Sequence, residues 1–212
     1  RPTFDRTAAI RLAFTSREQR NALLFTVLLV LGQFTVISFM TPFYINNVGL
    51  EQRDIKWIYL VGGAATVVSG FFIGRMVDKV GRFRVFTVAA LLSIIPVLVI
   101  THLPVVPLYV VLTIAAFFFV LVSGRMIPAN TIATSVVNPQ QRAGFMSLNS
   151  AMMSLASGSS GIIAGLIISQ SDENAPLMNF QYVGYLAAAS TLLSLVIVRV
   201  LKKIADAKER IQ

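Results

Sequence analysis

The chain has 212 residues, of which 56% are hydrophobic and only 13% charged, with a mean hydropathy of +0.76. A soluble domain carries about 25% charged residues, so this balance excludes a water-soluble globule and implies an integral membrane protein. The net charge of +9 does not indicate a nucleic-acid partner, because the basic residues flank apolar runs and form no patch of their own; the absence of cysteine excludes a disulfide framework and a thiolate metal site.

Residues 1–21 interleave Phe4, Ile10, Leu12 and Phe14 with five arginines, which predicts a basic, mildly amphipathic linker or membrane-surface segment drawn to anionic headgroups. Thr15, Ser16, Arg17 and Glu18 read as a capping box that opens a helix. The chain opens on Arg1, with neither an initiator methionine nor a signal peptide, as expected of a piece of a longer polypeptide or a processed product. Six apolar runs follow near residues 22–46, 55–77, 84–103, 105–136, 142–169 and 179–201, each long enough for the roughly 20 residues that cross a bilayer. The expected organisation is a cytoplasmic segment over 1–21, a six-helix transmembrane domain over 22–201 and a cytoplasmic tail over 202–212. The fourth run contains Pro128, which predicts a kink there.

Between the second and third runs, residues 74–84 form a short basic stretch flanked by glycine, with Asp78 as its one carboxylate. Such charge suits a cytoplasmic loop, where Lys and Arg oppose translocation. Gly74 allows a helix end to approach a neighbour closely, and Gly81 allows the positive φ that reverses the chain. With both termini cytoplasmic, fifteen of the eighteen Lys and Arg residues fall on that side, leaving Arg53 and Lys56 outside and Arg125 within a span. Trp57 and Tyr44 then sit near the outer ends as interfacial anchors.

The spans differ in kind. The first and fourth carry polar residues, among them Gln33, Arg125 and Asn130; the second and fifth are rich in small residues; the third and sixth are bulky and aliphatic, suited to lipid. Polar, small, bulky is thus a period of three helices, repeated once, as in transporters built from repeats with polar helices lining a midplane path. In the fifth span Ser157, Gly161, Gly165 and Ser169 recur every four residues and form a stripe on one face, while Gly70 and Gly74 make the matching step in the second. Small stripes let backbones pack closely in lipid.

Gly74, Asp78, Lys79, Gly81 and Arg82 fill a pattern that resembles the signature of the major facilitator superfamily; Phe83 departs from it, where a second basic residue is usual, and Arg84 follows at once. The resemblance implies an all-α fold: six transmembrane helices as two inverted three-helix repeats, one half of a twelve-span transporter. The first helix of each repeat would line the cavity and the second would meet the other half. Gly158, Ser159, Ser160 and Gly161, without proline, and the entry to the last span at residues 179–184 resemble the C-terminal half, of the bacterial drug:proton antiporter and sugar-efflux type. The resemblance also implies that Asp78 pairs with a basic neighbour and a helix N-terminus of the other half, latching the cytoplasmic side. A solvated turn aspartate is the plain alternative.

Arg125 is the one charge inside a span, and burying it costs at least about 2.5 kcal/mol, so it needs a partner or water. An ion pair with Asp78 and a cation facing an anionic substrate are both open. Gln33 and Asn130 are candidates to contact substrate or to bond a neighbouring helix. All nine Asp and Glu residues fall in loops or tails, so a proton-coupling acid is expected on the other half. His102 has no second ligand nearby for a metal, and Gly158 to Gly161 lacks the later histidine that an intramembrane serine protease needs. The expectation is therefore half of a secondary transporter in a bacterial inner membrane, exporting a small organic solute without cofactor or metal. Its partners would be the other six-helix half, or a second copy of this one, and membrane lipid. A six-span scaffold that transports nothing is the alternative.

Overall fold

The computed structural model describes residues 16–172 and 174–209. Among them, α1 spans Arg17–Asn46, α2 Gln52–Val80, α3 Arg82–Thr101, α4 Leu108–Gly124, α5 Met126–Ser135, α6 Arg142–Ile167 and α7 Phe180–Glu209. α4 and α5 make one span between them, so six helical stretches are long and apolar enough to cross a bilayer, as the runs predict. The described residues form no strand, only an isolated bridge between Ser169 and Met178. Hydrocarbon offers no partner to a backbone amide, so apolar runs of this length close their hydrogen bonds within the helix.

Several boundaries differ from expectation for local reasons. α1 starts at Arg17 with Ser16 in the N-cap position and no side-chain cap bond, while residues 1–15, including Thr15, lie outside the described residues. α7 runs on to Glu209, so residues 202–209 continue the sixth span as helix. The fourth span is interrupted at Arg125, not at Pro128. A proline removes the amide that would bond the carbonyl four residues back and its ring crowds that carbonyl, which here belongs to Gly124. The interruption therefore falls one turn before the proline. Tyr44 is not an interfacial anchor: its helix phase turns it into the core at 1% exposure, whereas Trp57 and Tyr59 one span later are exposed.

The spans pack in a row. The fifth (α6) lies against the first (α1), the first against the sixth (α7), the sixth against the third (α3), the third against the fourth (α4 and α5), and the fourth against the second (α2). Advancing each span number by three reproduces this row in reverse. The inner helices are well covered, with half of α1's apolar window buried, whereas the row's two edges, α2 and α6, have only 11% and 17% of theirs buried. The third and sixth spans, expected to face lipid, are exposed on one face only and form the middle of the row with the other.

Two apolar cores stack along the bundle. Near the Asp78 end, Phe25 meets Phe86 edge-on at 5.0 Å, above Ile132, Phe145 and Leu201. At the opposite end, Phe43 lies 4.6 Å from Phe180, with Met40, Ile100 and Phe118 around them. That end is closed by Asn47, whose amide donates to the Leu177 carbonyl at 2.9 Å and accepts from the Leu177 amide at 2.8 Å. The side chain thus completes a short β-like pairing between loops 130 residues apart. At Gly81 the chain reverses between α2 and α3 in one residue with φ +94°, which the sequence anticipates from glycine.

Close approaches inside the bundle also rest on glycine. A Cβ at Gly62 would strike the Phe119 ring of the fourth span, whereas a Cβ at the adjacent Gly63 would meet nothing within 4 Å. Gly62→Ala should therefore cost about 1–3 kcal/mol, the usual penalty of overpacking. Gly63→Ala should be neutral within about 0.5 kcal/mol. Thermal unfolding of the two variants in detergent micelles measures the difference.

Candidate functional site

Arg125 lies where the fourth span breaks, between the two apolar cores, and is 1% exposed. Its Nη1 donates to Ser93 Oγ on α3 at 2.9 Å and to Thr191 Oγ1 on α7 at 2.9 Å. Each hydroxyl has its own proton committed elsewhere: Ser93 donates to the Ala90 carbonyl at 2.8 Å and Thr191 to the Ala187 carbonyl at 2.9 Å. A serine or threonine bonded back to its own helix keeps its lone pairs free, and here they face the guanidinium. Ser190 and Ser194 are buried on α7 at the same level. The result is a polar layer that joins three spans through one cation.

The layer answers what the sequence left open about Arg125. No described carboxylate lies within ion-pairing distance of it, and Asp78 stands exposed at the end of the bundle. The guanidinium points into the row, toward the third and sixth spans, with Nε buried and unpartnered. Gln33 lies at the corresponding depth of α1, half-buried, with its Oε1 also unpartnered. Asn130 is exposed on α5. No hydrogen bond joins any two of Gln33, Arg125 and Asn130, so these three do not form one constellation in this chain. Ser93 and Thr191 are the residues that sequence reasoning missed. As helix hydroxyls they carry no signal, because most such hydroxyls bond only to their own helix.

The motif of residues 74–84 is built differently. α2 ends at Val80, the Gly81 amide bonds the Val77 carbonyl at 3.0 Å, and α3 starts at Arg82. Asp78, Gly81, Arg82 and Arg84 line a cleft of about 410 Å³ with Thr131 of α5 and Lys202 and Asp206 of α7. Asp78 and Lys79 are exposed, and Asp78 makes no hydrogen bond or ion pair among the described residues. The Arg75 guanidinium stacks 3.9 Å over the Phe71 ring one turn earlier. The cleft thus gathers three cations and two carboxylates where α2, α3, α5 and α7 end together.

The small residues of the edge helices divide into two sets. On α6, a Cβ at Gly161 would sit 3.8 Å from Ser38 Oγ and one at Gly165 3.6 Å from Phe39, so these face α1 at ordinary contact distance. Ser157, one turn before Gly161, is half-buried. Gly70 meets only Ile127 of α5, at 3.9 Å, while Gly63, Gly74 and Gly158 would each place a Cβ in open space. Gly74 makes no close approach to another helix among the described residues. His102 donates from Nδ1 to the Leu98 carbonyl at 2.8 Å and hydrogen-bonds the Tyr185 hydroxyl through Nε2 at 2.9 Å, tying the turn after α3 to α7.

The polar layer makes a separable prediction. Removing the acceptors strands a buried charge, so Ser93→Ala with Thr191→Val should destabilise by about 3–5 kcal/mol. Arg125→Met removes the charge with its need for partners and should cost less than the double variant, or nothing. Detergent-denaturation midpoints of the two variants set the order.

Comparison with known proteins agrees with this architecture. A search of curated protein sequences finds no match, whereas the family model for the Major Facilitator Superfamily matches residues 22–211, nearly the whole bundle. Six apolar helices in a mirrored row, the Gly74 to Arg82 motif at the α2–α3 turn and this match together make the chain a member of the Major Facilitator Superfamily of membrane transporters.

Proposed function

We propose that the chain is one six-span half of a secondary transporter that works by alternating access, and that α2 and α6 form its seam with the other half. The observation that carries this reading is the poor coverage of the row's two edges, 11% and 17% buried, against half of α1. Apolar helices so little covered have room for a second bundle, and the open glycines at 63, 74 and 158 admit close backbone contact there. The mirrored row is the order that two inverted three-helix repeats produce.

In this reading Gln33 and Asn130 contribute polar contacts to a substrate path between the halves, and Arg125 holds the scaffold behind it. Asp78, exposed and unbonded among the described residues, latches the cytoplasmic side onto the other half. We infer efflux of a small organic solute, with this chain as the C-terminal half, both termini cytoplasmic and the protein in a bacterial inner membrane. The coupling proton is carried by an acid on the other half, because the described acids of this chain stand in loops and in the end turns of helices.

Proteoliposomes holding both halves should move solute only while a pH gradient is imposed, and a panel of drugs and sugars identifies the substrate. Asp78→Asn should shift the conformational balance by about 1 kcal/mol, roughly fivefold, without loss of insertion. A fully active Asp78→Asn transporter, or flux indifferent to the gradient, overturns the latch or the coupling respectively. Sidedness is tested by single cysteines in this cysteine-free chain. Gln140→Cys should react with an impermeant thiol reagent from the cytoplasm and Val105→Cys from outside.

A further inference from the structure

The polar cleft beside Asp78 continues into apolar space along the bundle. Val80 and Arg84, which line it, also line an apolar groove of about 300 Å³ between α2, α3 and α4, walled by Phe72, Met76 and Val88. Leu92 and Leu121 of that groove in turn line a second one of about 370 Å³, which continues over Pro96 to Val99. Cleft and grooves form one track, charged at its head and wholly apolar beyond Arg84 apart from Ser69. We propose that this track holds one anionic phospholipid, with its phosphate at Arg84 and an acyl chain along α3.

The dimensions select a lipid tail over a partner helix. From Arg84 to Val99, α3 rises about 22 Å at 1.5 Å per residue, which exceeds the roughly 15 Å depth of one leaflet. Spread over that length, the two groove volumes give a cross-section of roughly 30 Å², whereas an α-helix is about 10 Å across. A single polymethylene chain fits that width. The charge also fits. Arg84 is exposed, makes no hydrogen bond or ion pair among the described residues, and sits at the junction of cleft and groove. Arg82, Arg84 and Lys202 outnumber Asp78 and Asp206 around the head, so the cleft favours an anion. The site is on the outer face of the row's α2–α3–α4 side and is independent of what the transporter carries.

Native mass spectrometry of the micelle-purified protein tests it, with phosphatidylglycerol and phosphatidylcholine of identical acyl chains. One phosphatidylglycerol should be retained about fivefold more readily than phosphatidylcholine, the worth of about 1 kcal/mol per basic residue near the surface. Arg84→Gln should erase that preference, and Val88→Trp, which fills the groove, should reduce retention of both lipids. Equal retention of the two lipids, or retention untouched by either variant, overturns the proposal. Phosphatidylglycerol with a diazirine in its acyl chain keeps the test open should a variant misfold. In the unmodified protein, adducts should concentrate on residues 88–99 and 114–121. Adducts spread equally over the exposed faces of α3 and α7 overturn the site.

Discussion

One buried guanidinium organises this bundle. Placing an arginine at the centre of a transmembrane helix costs about 2.5–3.5 kcal/mol, and the cost falls when its protons find acceptors. Ser93 and Thr191 supply them from two different spans at 2.9 Å each, having spent their own protons on backbone carbonyls. Apolar helices alone slide past one another with little change in energy, because lipid and leucine are alike to them. A cation with two fixed acceptors does not tolerate such sliding. It sets the axial register of the third, fourth and sixth spans and separates the cores built around Phe25 and Phe86 on one side and Phe43 and Phe180 on the other.

From that register the rest of the architecture follows. The third and sixth spans meet at the middle of the row, the first and fourth lie outside them, and the second and fifth end up at the edges with most of their surface uncovered. Membership in the Major Facilitator Superfamily places this arrangement among membrane transporters. The division of labour is then spatial: a spine with a charge locked inside it, and edges rich in small residues. In the proposed alternating access, a well-covered centre with loosely covered margins suits a body that moves as a unit against another.

Much of this was legible in the residues. Run length gave the six spans, because backbone desolvation leaves an apolar segment of about 20 residues little choice. Gly81 announced the one-residue turn because a non-glycine residue resists φ +94°. The direction in which Arg125 points was not legible, since Ser93 and Thr191 look like any helix hydroxyl and only packing reveals their free lone pairs. The break at Arg125 in place of Pro128 follows from a proline acting on a carbonyl four residues back, a displacement that composition does not show. Tyr44 and Tyr59 stand near the same end of the bundle, yet one is buried and the other exposed, because helix phase and neighbour choice decide it. The Asn47 clasp on Leu177 joins loops too far apart in sequence for any local pattern to predict.

The two margins of the row are tethered unequally. Gly81 alone separates α2 from α3, so their facing ends stay within about 7.6 Å, two Cα steps. On the other side, residues 168–179 connect α6 to α7, a length of chain able to reach about 40 Å when extended. One flank is therefore joined to the spine through a single residue, while the other is joined through a longer loop that the Ser169 to Met178 bridge, the Gln170 bond to the Ala175 carbonyl and the Asn47 clasp on Leu177 fold back. Any rocking of the second helix must drag the third with it at that end, whereas the fifth passes its motion to the sixth through twelve residues clasped to the end of α1.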